Sequence, residues 1–450
     1  MKKSTKDLTV GTPWKAIIMF ALPLLGSSLI QQMYGTVDLF FVSRYLGTNA
    51  ASAVGASDLL VTCLVGLFTG ISVGSNVVAA QAFGAKDKER LHELIQTMVT
   101  FGVIGALVLL AIGELFAPTF LQWLNTPESI QPLAVTYLRI YFLCIFSIVL
   151  YNLCSGVVRA LGDSAAAMRF QIYGGLANVV MDFLMIVFLK WGVAGAALAT
   201  FLSQTTAAFF TIRYLMRLER EIRLDLKQPM INGYLLKKVL AVGIPSGVQS
   251  MIVTFANLLV QAVINGFGVA VIAAFVVYFK VELFIWYPLV AIGQALVTYT
   301  AQNIGAGRKD RVKSGAVTGV ILGVVVCLVL GNLLRFFAPQ IFGLFNPDTE
   351  VIEAGVSIVS VTFPLYFLCC FQDAFGSVLK GFGNGTWPMV VSVCFLCIFR
   401  VVILYAFNAK WHTIATVAAV YPITWAAAGL FMFLALLIFM RKYNQGMNRK

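Results

Sequence analysis

The sequence predicts an all-α membrane protein, with twelve transmembrane helices arranged as two parallel-repeat six-helix bundles. Three observations carry that expectation. The 450 residues are 60% hydrophobic and 11% charged, with a mean hydropathy of +0.89, which is more apolar side chain than a soluble domain can hide. Apolar runs recur that are long enough to cross a hydrocarbon core of about 30 Å, which takes roughly 20 helical residues. They do not alternate as barrel strands do. The chain also repeats itself. A shift of 221 residues lays Ala80-Gln81-Ala82-Phe83-Gly84-Ala85 on Ala301-Gln302-Asn303-Ile304-Gly305-Ala306. The same shift lays Arg90 on Arg311, Phe116-Ala117-Pro118 on Phe337-Ala338-Pro339, Asn125 on Asn346 and Arg159 on Lys380.

In chain order the spans are expected near residues 15–41, 51–80, 94–117, 133–158, 167–189, 193–216, 237–265, 269–299, 314–337, 354–379, 387–408 and 414–440. The first is too long for a signal-peptide core and reads as a retained span. It carries Pro23, and a proline inside a helix removes a backbone hydrogen bond and predicts a bend. The loop Gly84–Arg90 after the second span matches Gly305–Arg311 after the eighth. Glycine ends the helix there and the charges anchor the turn. Neither loop has the glycine spacing and Lys-Ser/Thr ending that cradles a phosphate. The polar stretch from Arg217 to Lys238 joins the halves and contains Pro229, Asn232 and Gly233. The expected organisation is an N-terminal six-helix lobe over 1–222, a cytoplasmic connector over 223–236 and a C-terminal six-helix lobe over 237–450. Six spans per half start both repeats on the same side of the membrane, hence the parallel relation.

The net charge of +13 is topological. With the N-terminus inside, the inner segments hold Lys2, Lys3, Lys6 and Lys15, the Lys86–Arg90 and Arg308–Lys313 loops, the Arg217–Lys238 connector, and Arg441, Lys442, Arg449 and Lys450. The outer segments hold only Arg44, Lys190, Arg335 and Lys410. This is the positive-inside pattern, with both termini cytoplasmic, and it removes the case for nucleic acid. The eight cysteines all fall in spans, where disulfides are not expected. Cys394 and Cys397 have a metal-motif spacing but no accompanying pair or histidine, so helix packing is the better reading. No ATP-binding motif occurs, which leaves an ion gradient or a partner as the source of energy.

A charge at mid-membrane costs about 2.5–3.5 kcal/mol on insertion scales, so acids in spans default to function. Asp58 and Glu114 lie near span ends and read as structural. Asp182 lies mid-span with Asn178 four residues earlier, on the same helix face. A carboxylate and an amide oxygen make a partial shell for a hard cation. Asp38 shares the first helix with Pro23, so a titrating acid and a bend sit on one element. The repeat breaks at these acids. Asp38 and Asp182 have no acidic partner at the repeat offset, Asp373 falls on Asn152, and Lys280 and Glu282 fall on Leu59 and Val61.

The stretch Phe20-Ala21-Leu22-Pro23 … Gln32-Met33-Tyr34-Gly35-Thr36-Val37-Asp38 … Leu46-Gly47 resembles the first helix of the multidrug and toxic compound extrusion (MATE) family. Ala80–Ala85, Arg159-Ala160-Leu161-Gly162-Asp163, Asn178-Val179-Val180-Met181-Asp182 and Gln302–Gly307 are also similar, in order, across nearly the whole chain. The resemblance implies two bundles forming a V around a central cavity. It implies export of small organic, usually cationic, compounds in exchange for Na⁺ or H⁺, with no cofactor. It carries the cation site onto Asp38, Asn178, Asp182 and Thr200, with Tyr137 and Asn152 as polar neighbours and Pro23 as the bend. Asp373 fits a second acid that some members carry on helix 10. The helix-7 acid that accompanies it there is missing here, since residues 245–259 hold Gln249, Thr254 and Asn257. That leaves Asp373 and Glu282 as C-lobe ion or substrate candidates.

The expected protein is thus a secondary antiporter of the plasma membrane, a monomer in the bilayer, and not an enzyme. A lipid-linked sugar flippase of the same broad superfamily is the nearer alternative, kept open by the mid-span cations Arg139 and Arg400. A membrane-embedded enzyme is the remoter one, because no nucleophile–base or metal pattern occurs in the spans.

Overall fold

The computed structural model describes residues 7–124 and 126–447, with the side chains at 48, 49, 51, 56, 58–60 and 444–447 left aside. Asn125, the side chain of Asp58 and the terminal lysines and arginine at 2, 3, 6, 449 and 450 therefore lie outside the described residues. Among those described the chain is helical throughout, without strands. The helices are α1 (Pro13–Leu46), α2 (Gly47–Gly84), α3 (Lys88–Trp123), α4 (Gln131–Ala160), α5 (Ser164–Phe188) and α6 (Gly192–Met216). They continue as α7 (Gly233–Phe267), α8 (Val269–Gly305), α9 (Lys309–Phe336), α10 (Thr349–Leu365 bent into Phe367–Gly381), α11 (Thr386–Trp411) and α12 (Ile414–Tyr443). A short helix, Ala338–Phe345, lies between α9 and α10.

Eleven of the described helices are long and apolar enough to span a membrane, and the α10 pair makes a twelfth if it counts as one crossing. Its halves meet at 47°. The expected single span over 354–379 is therefore a broken one that starts earlier. The cause is Pro364, which cannot donate a backbone hydrogen bond and sits in a tight turn at Phe363–Leu365. Pro23 and Pro245, by contrast, lie inside α1 and α7 without ending them.

By packing, the chain forms two units, Leu22–Gly247 and Leu8–Ala21 with Val248 onward. α1 and α7 each contribute to both, and the switch in α1 falls next to Pro23. In the first unit α4 is the central helix, packed by α2, α3 and α6. Glycines bring the first half of α7 onto α2. A Cβ on Gly70 would stand 2.1 Å from the backbone nitrogen of Gly247, and one on Gly74 2.2 Å from the carbonyl oxygen of Val239. Gly70/Gly74 and Gly243/Gly247 are thus small-xxx-small pairs that let two backbones touch.

In the second unit α8, the second half of α10 and α12 surround the core. Here the matched loop motif does a specific job. Arg311 donates from Nη1 to Gly11 O (2.7 Å), from Nη2 to Leu8 O (3.1 Å) and Val10 O (3.2 Å), and from Nε to Asn303 Oδ1 (3.0 Å). Leu8 N donates to Gln302 Oε1 (2.9 Å). The segment that leads into α1 is thereby fixed by its backbone.

Candidate cation site

α1, α5 and α6 of the first unit meet where Val42, Ile186 and Ala196 pack together as a buried cluster. Asp38, Asp182 and Thr200 each lie four residues from one of these. α1 and α5 run in the direction opposite to α6, so all three polar residues fall one turn to the same side of the cluster. The carboxyl groups of Asp38 and Asp182 face each other at hydrogen-bonding range. Asn178 lies one turn further along the same face of α5. Asp182 and Asn178 are 0% and 1% exposed. Thr200 Oγ1 donates to Ala196 O (3.2 Å), which leaves its lone pairs available.

The oxygen inventory is one-sided. Asp38 Oδ1, Asp182 Oδ1 and Oδ2, and Asn178 Oδ1 are all buried with no hydrogen-bond donor. Buried polar atoms are nearly always paired, so a group of orphaned acceptors from three side chains is a call for positive charge. The donor set of two carboxylates, an amide oxygen and a hydroxyl suits a hard monovalent cation. Asp182 sits immediately before a π-helical turn, Phe183–Phe188 in α5, and Asp38 lies one turn before another, Val42–Leu46 in α1. Such widened turns loosen the regular backbone ladder and frequently mark functional positions.

Sequence reasoning missed the polar layer beside the site. The Tyr34 hydroxyl accepts from Gln171 Nε2 (3.2 Å) and lies within hydrogen-bonding reach of Gln31 and Gln204. Tyr34 comes one turn before Asp38, Gln171 two turns before Asn178 and Gln204 one turn after Thr200. The helical period was the signal that could have found them. Gly175 makes room, since a Cβ there would stand 3.2 Å from the Tyr34 ring.

Tyr137 and Asn152 both lie on α4. Tyr137 packs with Tyr141, Ala50, Cys144, Val193 and Ala197, next to the α6 end of the site. Asn152 is engaged in a neighbouring network. Its Nδ2 donates to Ile148 O (2.9 Å), and its carbonyl accepts from Ser72 Oγ (2.5 Å), which in turn accepts from Arg159 Nη2 (2.9 Å).

In the second unit the two acids are held apart. Asp373 lies over Gly293, beside Ser377 and within the field of Lys380. Glu282 Oε1 accepts from the Tyr366 hydroxyl (2.9 Å). Glu282 and Gly293 are eleven residues apart on α8, about 16 Å along the axis, so the two carboxyls do not form a pair. The mid-span cations are engaged as well. Arg139 Nε stands 3.8 Å from Glu114 Oε2, and Arg400 Nε and Nη2 donate to Thr424 Oγ1 (3.3 Å each) with the guanidinium 4.9 Å from the Tyr421 ring centre. Cys397 is buried and donates to Ile252 O (3.6 Å), whereas Cys394 is exposed, so the two thiols serve different surroundings.

The MatE family model matches the chain twice, over residues 23–184 and 245–406, one match in each repeat. The probable multidrug resistance protein YoeA of Bacillus subtilis (strain 168) is 28% identical over 430 residues, 93% of this chain and 92% of that one. The multidrug export protein MepA of Staphylococcus aureus (strain MSSA476) is 23% identical over 381 residues, 84% of each chain. Among solved structures, that of a MATE in the straight conformation has a TM-score of 0.90 at 22% identity, covering 98% of this chain and all of the other. That of a MATE in the bent conformation has a TM-score of 0.91 at 22% identity, covering 99% of each.

Proposed function

The chain belongs to the MATE family of multi-span membrane transporters, and from that premise we propose that it exports small organic, mainly cationic, compounds across the cell membrane in exchange for Na⁺ or H⁺. The names of its multidrug-resistance and multidrug-export relatives support small organic compounds as cargo. The coupling ion is held by Asp38, Asn178, Asp182 and Thr200. The observation that carries this reading is the set of four buried, donorless oxygens on Asp38, Asp182 and Asn178. A proton shared by the two facing carboxyls relieves their repulsion but leaves Asn178 Oδ1 orphaned. Na⁺ engages all three side chains, so it is the favoured ion and H⁺ the competitor.

Transport follows from where the ion sits on α1. Asp38 lies in the part of α1 that packs in the first unit, whereas residues 8–21 pack in the second. Two unscreened carboxylates push α1 and α5 apart, and a bound cation draws them together. That change reaches the segment around Pro23, where the missing hydrogen bond makes bending cheapest. The solved straight and bent conformations of a similar MATE support a bend as part of the cycle. The membrane potential adds about 2.3 kcal/mol per elementary charge per 100 mV to any concentration gradient. With both termini cytoplasmic, as the positive charges argue, the ion enters from outside and cargo leaves in return.

The flippase alternative needs basic side chains ready to hold a pyrophosphate. Arg139 and Arg400 are already committed to Glu114 and to Thr424 with Tyr421. The test is ion-driven dye efflux from everted membrane vesicles. Asp38→Asn should abolish it, and full coupled efflux by that variant would sink the proposal.

A further inference from the structure

We propose that Glu282 is a second proton-binding site, built into the second unit and independent of the Asp38–Asp182 site. Its half-buried side chain projects from the middle of α8 into a cluster contributed by four helices. Tyr278 lies one turn before it on α8, Tyr366 of α10 donates to it, Cys369 of α10 and Tyr421 of α12 pack in the same buried cluster as these tyrosines, and Arg400 of α11 lies over the Tyr421 ring. Tyr278, Tyr366, Arg400 and Tyr421 are all buried. Oε1 accepts from Tyr366, and the buried Tyr421 hydroxyl has no hydrogen-bond partner.

The chemistry of the cluster selects a proton over other ligands. A metal cation needs several oxygens with exposed lone pairs, and here a guanidinium already occupies the region. An organic cation needs a cavity, whereas these side chains pack ring against ring, with Tyr366 and Trp425 centroids 4.8 Å apart and Tyr421 and Trp425 5.9 Å apart. A proton needs neither. Glu282 as an anion has Arg400 as counter-charge, acting through space while its own Nε and Nη2 are taken by Thr424. Glu282 as an acid leaves Arg400 on Thr424 and on the face of Tyr421, a cation–π contact that sustains a desolvated charge. The step is the transfer of one proton from hydronium to Oε2, which breaks one O–H bond of the hydronium, makes one on the carboxylate, releases a water molecule and adds one positive charge to the cluster.

Tyr366 gives that proton a mechanical consequence. It is the first residue after the Phe363–Leu365 turn at which α10 bends, and its hydroxyl is the hand that holds Glu282. The charge on Glu282 and the bend of α10 are therefore tied through one hydrogen bond.

The test is infrared difference spectroscopy between alkaline and acidic buffer, on the full chain in liposomes. It is run in a D38N/D182N background so that the first site is silent and its failure cannot be confused with failure here. Acidification should bring up a carboxylic-acid C=O stretching component that Glu282→Gln removes and Asp373→Asn keeps. A spectrum unchanged by Glu282→Gln overturns the proposal. Tyr366→Phe, which needs no change at the carboxyl, should shift that component in frequency and midpoint. A component indifferent to Tyr366→Phe overturns it equally, and this variant decides the matter if Glu282→Gln does not fold.

Discussion

Asp38 on α1 and Asp182 on α5 face each other at hydrogen-bonding range, with three of their four oxygens buried and without a donor. An arrangement that is unfavourable by itself is stored for a ligand that neutralises it. Asp38→Asn replaces an opposing carboxylate with an amide that can donate to Asp182. Without added ion the variant should therefore melt higher than the parent, by the equivalent of about 1 kcal/mol, the scale of an interhelical hydrogen bond in a membrane. The same variant should lose ion-driven efflux. A lower melting temperature would show that the two acids are already satisfied.

The identity of the ion is read from the same melting curve. At fixed alkaline pH, Na⁺ should raise the melting temperature of the parent, and K⁺ should do so less. A ligand at a hundred times its dissociation constant adds about 2.7 kcal/mol. Asn178→Ala should remove most of the Na⁺ effect, because it deletes the oxygen that a proton has no use for. If Asn178→Ala leaves it intact, the amide is not a ligand.

Most of the fold was legible because the membrane forces it. Every backbone group must be paired inside the helix, so an apolar run of sufficient length has one solution. The acids Asp38 and Asp182 were legible for the same reason, being costly where they stand. The break in α10 was not, because Pro23 and Pro245 show that a proline inside a span does not by itself end a helix. Nor was the Tyr366 contact with Glu282, which depends on how that break aims a side chain from another helix. The Tyr34 layer fell between these cases. Its residues keep the helical spacing of the site, but tyrosine and glutamine cost too little in a membrane to draw notice.

The contact between α2 and the first half of α7 predicts a steep size limit. A Cβ on Gly70 would meet backbone at 2.1 Å, which no side-chain movement relieves. Gly70→Val should cost at least the 1–3 kcal/mol typical of overpacking and leave little monodisperse protein after extraction. Gly105 on α3 meets nothing within 4 Å, so Gly105→Ala should be tolerated and gain up to about 1 kcal/mol of helix propensity. Equal effects of the two changes would mean that α2 and α7 do not touch in the membrane.

Arg311 is the repeat partner of Arg90 and reads in the sequence as one more charge of a cytoplasmic turn. Its three donations to the carbonyls of Leu8, Val10 and Gly11 instead make it the anchor of the segment entering α1. Only a planar guanidinium reaches three acceptors while also bonding Asn303. Arg311→Lys should therefore behave like Arg311→Ala. A cysteine placed at Thr9, now 9% exposed, should react with a membrane-impermeant maleimide several-fold faster in either variant than in the parent, in everted vesicles. Efflux should fall in parallel, because α1 carries Asp38 at its other end and an unanchored helix cannot pass on the change made there. Unchanged labelling in both variants would mean that Gln302 and Asn303 hold the segment without the arginine.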